Sequence, residues 1–99
     1  MNQVQDFTQL KVWQRAHLVT LAVYKPTRSF PKEEQYGLTS QMRRAAASVP
    51  ANIAEGCGSS SSTDFAWFLQ MAVRSASELK TTLSLLAISI TFTTLTMLR

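Results

Sequence analysis

The sequence predicts an all-α protein, folded as an antiparallel up-down helical bundle. Along three segments, apolar residues recur at steps of three and four, the period of helices that bury one face. Gly and Pro number only three each, too few to supply the turn signal that an all-β chain needs every ~10 residues. The breaks between the segments are short, so consecutive helices run antiparallel. With 99 residues, of which 45% are apolar, the chain makes one domain and has enough apolar side chain to build a core.

The first helix is expected over about residues 7–28. Leu10, Trp13, Ala16 or His17, Leu21 and Tyr24 keep the period, while Lys11, Gln14, Arg15 and Lys25 point elsewhere. Pro26 lacks an N–H and clashes with the preceding turn, so it kinks or ends the helix there. Phe30-Pro31 marks the connection. The second helix is expected over 33–57, carried by Leu38, Met42, Ala45 or Ala46, Val49 and Ile53, with Gly37 setting off a short first turn. Pro50 interrupts this stretch, but the pattern resumes at Ile53, which favours a local kink or bulge. Gly56-Cys57-Gly58 is expected to close the helix in the left-handed conformation open to glycine. In the polar run 59–63, Ser62 or Thr63 is the expected cap of the third helix, with Asp64 favourable at the positive end of its dipole.

The third helix is expected over 63–90. Phe65, Phe68 or Leu69, Ala72, Ala76, Leu79, Leu83, Leu86 and Ile90 form a bundle seam. At 1.5 Å per residue it is about 40 Å long. It outruns the other two helices, so its far end needs a partner from another chain. Beyond Ile90 β-branched residues dominate and helix propensity falls, which leaves the tail 91–99 unassigned. Trp13, Trp67, Phe65, Phe68 and Phe92 are more large side chain than a thin three-helix core covers, and self-association follows.

Gln41, Arg44, Ser48, Asn52 and Glu55 step by three and four beside the apolar face of the second helix. Arg44 and Glu55 are too far apart to pair, so each looks to a neighbouring helix, where Ser75 and Glu78 are candidates. A structural network that fixes helix register is favoured over a ligand site, because no nucleophile–base pair or metal cluster accompanies the stripe. One Cys and one His exclude an intrachain disulfide and a His/Cys zinc site. His17 reads as a surface or boundary residue, and Cys57 as a small loop residue with no base near it in sequence. Gly56-x-Gly58 follows no strand and is not a dinucleotide loop. No cofactor, metal or small-molecule substrate is expected.

No apolar leader follows Met1, so a cytoplasmic location with a reduced thiol is expected. The stretch 81–98 carries no charge, yet its many Ser and Thr hydroxyls disfavour a membrane anchor. Ten Lys plus Arg against six Asp plus Glu give a net charge of +4. Lys11, Arg15, Lys25 and Arg28 lie on or near the first helix and Arg43 and Arg44 on the second. Such charge attracts phosphate in a salt-sensitive, sequence-tolerant way, and Lys11, Arg15, Lys25, Arg28 and Arg43 are the candidate nucleic-acid contacts.

Three stretches then acquire a further meaning: LKVWQRAHLVTLAVY at 10–24, FPKEEQYGLTSQMRRAAASVPANIAEGCG at 30–58, and DFAWFLQMAVRSASELKTTL at 64–83. Together they resemble the four-helix-bundle proteins encoded in intervening sequences of bacterial 23S ribosomal RNA genes, relatives of the accessory protein of diversity-generating retroelements. The most specific residues are Phe30-Pro31 with Glu34 and Tyr36-Gly37-Leu38, Gln41 with Arg43-Arg44-Ala45, and Asn52-Ile53-Ala54-Glu55-Gly56. The resemblance covers about residues 7–83. It implies a homo-oligomer, a pentameric ring in that family, with no enzymatic activity and with RNA or a nucleic-acid-handling protein as partner. Three departures stand out. Ser59 occupies a position usually held by Arg. Arg74 precedes Ser75 where Gly is usual. Residues 87–99 carry neither the turn nor the pattern of a fourth helix, which is therefore expected to be missing or incomplete.

Overall fold

A computed structural model of the chain describes residues 6–30 and 37–97. A single 3-10 turn, Phe7–Gln9, leads into α1 (Lys11–Thr27), α2 (Leu38–Cys57) and α3 (Ser62–Met97), with no strand among the described residues. Helix α1 starts later than the period suggests. The Asp6 carboxylate accepts from Thr8 N and Thr8 Oγ1 at 3.0 and 2.6 Å, so it caps the short turn instead, and Leu10 is extended. Those hydrogen bonds also hold the Asp6 carboxyl below the usual range. Residues 33–36 of the expected second helix lie outside the described residues. The third helix runs past Ile90 to Met97. Its hydroxyls fold back onto its own carbonyls: Thr82 donates to Glu78 O, Ser84 to Lys80 O, Thr91 to Ala87 O and Thr96 to Phe92 O, all at 2.9–3.0 Å. Side chains of weak propensity are thereby satisfied without leaving the helix.

Helix α2 is the middle element. It packs against both α1 and α3, whereas no Cα of α1 lies within 8 Å of a Cα of α3. The core is built where all three converge, from Val23, Met42, Ala45, Ala46 and Leu79, with Phe30 and Leu86 packed against it. Two alanines on α2 bring its neighbours close, and Met42, 2% exposed, fills the space between them. The molecule is a rod of 62 × 21 × 21 Å, because α3 extends beyond the other two helices. No helix among the described residues is long and apolar enough to cross a membrane.

Pro50 sits inside α2 without ending it. It has no N–H for the Ala46 carbonyl four residues back. The Thr20 hydroxyl of α1 supplies the missing donor at 2.9 Å from Ala46 O, sharing its hydrogen with Ala16 O, also at 2.9 Å. Thr20→Val is therefore expected to destabilise the fold by about 1–2 kcal/mol, the cost of an unsatisfied buried carbonyl. In a Pro50→Ala background the substituted residue regains a backbone N–H that can reach Ala46 O, and the loss should fall to near zero. Urea unfolding of the four proteins in this cycle measures the coupling.

The turn between α2 and α3 departs from the expected glycine chemistry. Neither Gly56 nor Gly58 has a positive φ; Gly58 is right-handed at φ −86°. Gly56 is needed for space: a Cβ there would stand 2.9 Å from Phe65 Cδ1 and 3.1 Å from Phe68 Cβ. The Ser59 hydroxyl donates to Gly56 O at 2.6 Å and closes the helix end. The cap of α3 is Ser61, one residue before the expected pair, with its Oγ accepting from Asp64 N at 3.1 Å.

Candidate nucleic-acid interface

The basic residues of α1 occupy its outward side. Lys11 and Arg15 are one turn apart, and Lys25 returns to the same face after four helical turns. That face lies opposite Thr20, Val23 and Thr27, which turn toward α2. Lys11, Arg15, Lys25 and Arg28 are all exposed, and none makes an ion pair or side-chain hydrogen bond among the described residues. Helix α1 contains no Asp or Glu. Lys11 even stands in the first turn, where the helix dipole disfavours a cation. The result is a strip of uncompensated positive charge on one rigid element.

Arg43 has a different environment. Its Nε donates to Thr27 Oγ1 at 2.8 Å, and its Nη2 reaches Tyr24 O at 3.4 Å. Its guanidinium carbon lies 4.9 Å from the centre of the Tyr24 ring. Thr27 in turn donates to Val23 O at 2.8 Å and Tyr24 O at 3.0 Å. Arg43 therefore satisfies the C-terminal end of α1, where Pro26 has disturbed the backbone ladder, and ties it to α2. Sequence spacing alone does not separate it from the free cations, because its partner Thr27 belongs to another helix.

The polar stripe of α2 is assembled only at its centre. Ser48 Oγ and Ser75 Oγ are 2.8 Å apart across the α2–α3 interface. Asn52 Nδ2 donates to Ser48 O at 2.8 Å and to Ser48 Oγ at 3.0 Å. Gln41, Arg44, Glu55 and Glu78 are exposed and take no part in that network. Their positions on the helices carry them past the contact line toward solvent. Arg74 is exposed as well, so its bulk points away from the Ser48–Ser75 contact.

The remaining candidates have packing roles. Cys57 is the last residue of α2, buried at 3% exposure; burial pushes its thiol up from the ordinary value, which disfavours the nucleophilic thiolate. Trp13 lies between Phe7, at 5.2 Å edge to face, and His17, stacked at 4.8 Å. Trp67 is half exposed and meets Phe68 edge to face at 5.0 Å. No group of three or more His, Cys, Asp or Glu among the described residues is placed to hold a metal ion.

A family model described as 23S rRNA-intervening sequence protein matches residues 8–95. No curated protein matches the chain.

Proposed function

Since the chain belongs to the 23S rRNA-intervening sequence protein family, we propose that it is a non-enzymatic, self-associating helical protein that binds RNA along the outward face of α1. The observation that carries the RNA reading is the strip formed by Lys11, Arg15 and Lys25, with Arg28 at its end. These four cations are exposed on a helix that holds no acidic residue. A strip of this kind binds the phosphate backbone by releasing counterions and is indifferent to base sequence. The reading of a non-enzymatic protein is supported by a buried, proton-holding Cys57 and by a polar stripe whose central members bond to one another. Self-association is supported by Leu83, Ile88, Phe92 and Leu95, which are 42–71% exposed along α3.

Filter binding of a structured RNA across a salt series tests the RNA reading. The logarithm of the affinity is expected to fall linearly with log salt, with a slope proportional to the number of phosphates neutralised. The triple variant Lys11→Ala/Arg15→Ala/Lys25→Ala is expected to bind about 10- to 100-fold more weakly at low salt and to keep its helicity, because all three positions are exposed. Arg43→Lys should weaken the fold more than the binding. No affinity at low salt, or a triple variant that binds like the parent, overturns the reading.

A further inference from the structure

We propose that the RNA held along α1 is single-stranded, and that its unpaired bases stack on His17 and Tyr24 while its phosphates lie on the cationic strip. This deepens the RNA reading above and rests on it. The apolar row that the helical period picks out on α1 is not its buried side. Thr20 bonds to α2, and Val23 and Thr27 are the buried residues of the helix. Trp13 is half-buried, His17 is exposed, and Leu21 and Tyr24 are 51% and 36% exposed. Aromatic rings are thus left at the surface of the helix that also carries the charge.

The rings and the cations occupy adjoining faces. At ~100° per residue, Trp13, His17, Tyr24 and the C-cap residue Arg28 fall in one sector about 60° wide. Lys11, Arg15 and Lys25 fall in a second sector, and only Gln14 and Leu21 lie between the two. A strand laid along that border has cations beside its phosphates on one side and rings beside its bases on the other. His17 and Tyr24 are seven residues apart, or about 10 Å along the axis, so each takes its own base. No Asp or Glu on α1 opposes the phosphates.

Each exposed ring is braced by a second group. Trp13 stacks on His17, with 4.8 Å between ring centres and 9° between planes, and Phe7 meets Trp13 edge to face at 5.2 Å. Trp13 covers one face of the imidazole and the rest of the side chain is exposed, so a base extends a stack already two rings deep. The Arg43 guanidinium carbon lies 4.9 Å from the centre of the Tyr24 ring, and Arg43 is itself held by Thr27 Oγ1 at 2.8 Å. Rings fixed before binding lose little freedom when a base arrives. Such stacking tolerates any sequence, because every base has a π-face, and it therefore agrees with a strip that reads only phosphate. It discriminates against a duplex. Paired bases are already stacked on one another, and the major groove of A-form RNA is too deep and narrow for side chains to reach them.

Filter binding of the full chain at one low salt concentration tests the stacking, with oligouridylate compared against a fully paired RNA duplex of the same length. The single strand is expected to bind at least about 10-fold more tightly. His17→Ala removes an exposed ring and should weaken single-strand binding about 5- to 100-fold, with little change for the duplex. His17→Phe supplies a flat ring without the nitrogens and should bind the single strand like the parent. His17→Leu, apolar but not flat, should behave like His17→Ala. Circular dichroism should show the same helicity in all four proteins, because position 17 is exposed. Equal affinity of the parent for single strand and duplex keeps the RNA reading and overturns the stacking. So does a His17→Ala protein that binds the single strand like the parent or weakens on both probes alike, and so does a His17→Leu protein that binds like the parent. No affinity for either probe removes the stacking and the RNA reading together.

Discussion

Gly56→Val is expected to destabilise the fold by about 3 kcal/mol, at the upper end of the overpacking range. A Cβ at this position would lie 2.9 Å from Phe65 Cδ1 and 3.1 Å from Phe68 Cβ. The Phe65 ring could tilt away, but the Phe68 Cβ is fixed to the backbone of α3. The added carbon therefore forces α2 and α3 apart at the end where only a short turn joins them. An alanine would gain about 1 kcal/mol of helix propensity over glycine, which offsets part of the strain. Valine adds two methyl groups and gains less propensity. Urea unfolding should place the variants in the order Gly56, Gly56→Ala, Gly56→Val from most to least stable. A valine variant as stable as the parent would show that the two helices are not in contact at this point.

Met42→Ala is expected to destabilise by about 2–5 kcal/mol, as large-to-small changes in a closed core do. Met42 is 2% exposed, and its neighbours on α2 in the core cluster are Ala45 and Ala46. Those two alanines are too short to refill the space. Because α1 and α3 do not approach each other directly, Met42 also couples them. Its loss should loosen α1 from the body as well as lower the midpoint. Met42→Leu conserves volume and is expected to lose less than about 1.5 kcal/mol. Thermal unfolding followed by circular dichroism compares the three proteins.

The helical period located all three helices and the buried row of α2, because a buried face imposes that period whatever the partner is; on α1 it chose the wrong face, since Leu21 and Tyr24 are 51% and 36% exposed while Val23 and Thr27 are buried. It did not determine which helices touch. The α2 row from Leu38 to Ile53 reads the same whether it faces one helix or two. Only the structure shows α2 as the middle element, touched by α1 on one side and α3 on the other. The family resemblance drawn from residues such as Asn52 and Gly56 agrees with the family match over 8–95. Helix ends were harder to read, since caps compete locally: Asp6 captured a 3-10 turn, and Ser61 served α3 although Ser62 and Thr63 have similar chemistry. The reach of α3 to Met97 depended on hydroxyls bonding back to carbonyls, which propensity averages do not distinguish from hydroxyls facing water. In the candidate site, the outward cations of α1 followed from the period alone. The engagement of Arg43 with Thr27, and the closing of the Ser48–Asn52–Ser75 group without Arg44 and Glu55, depend on the rotation of one helix against another.

Among the described residues, helix α1 comes within 8 Å, Cα to Cα, of α2 but not of α3, while α2 and α3 are joined by a four-residue turn and a longer shared contact. The molecule is thus a hairpin with a detachable arm. Opening that arm would bare the apolar side of the hairpin, and as a partial opening it should cost less than unfolding the whole molecule. The cations carried by α1 travel with it. Anything that grips them from outside therefore acts on the arm's hold and ties recognition of a polyanion to the rigidity of the whole rod.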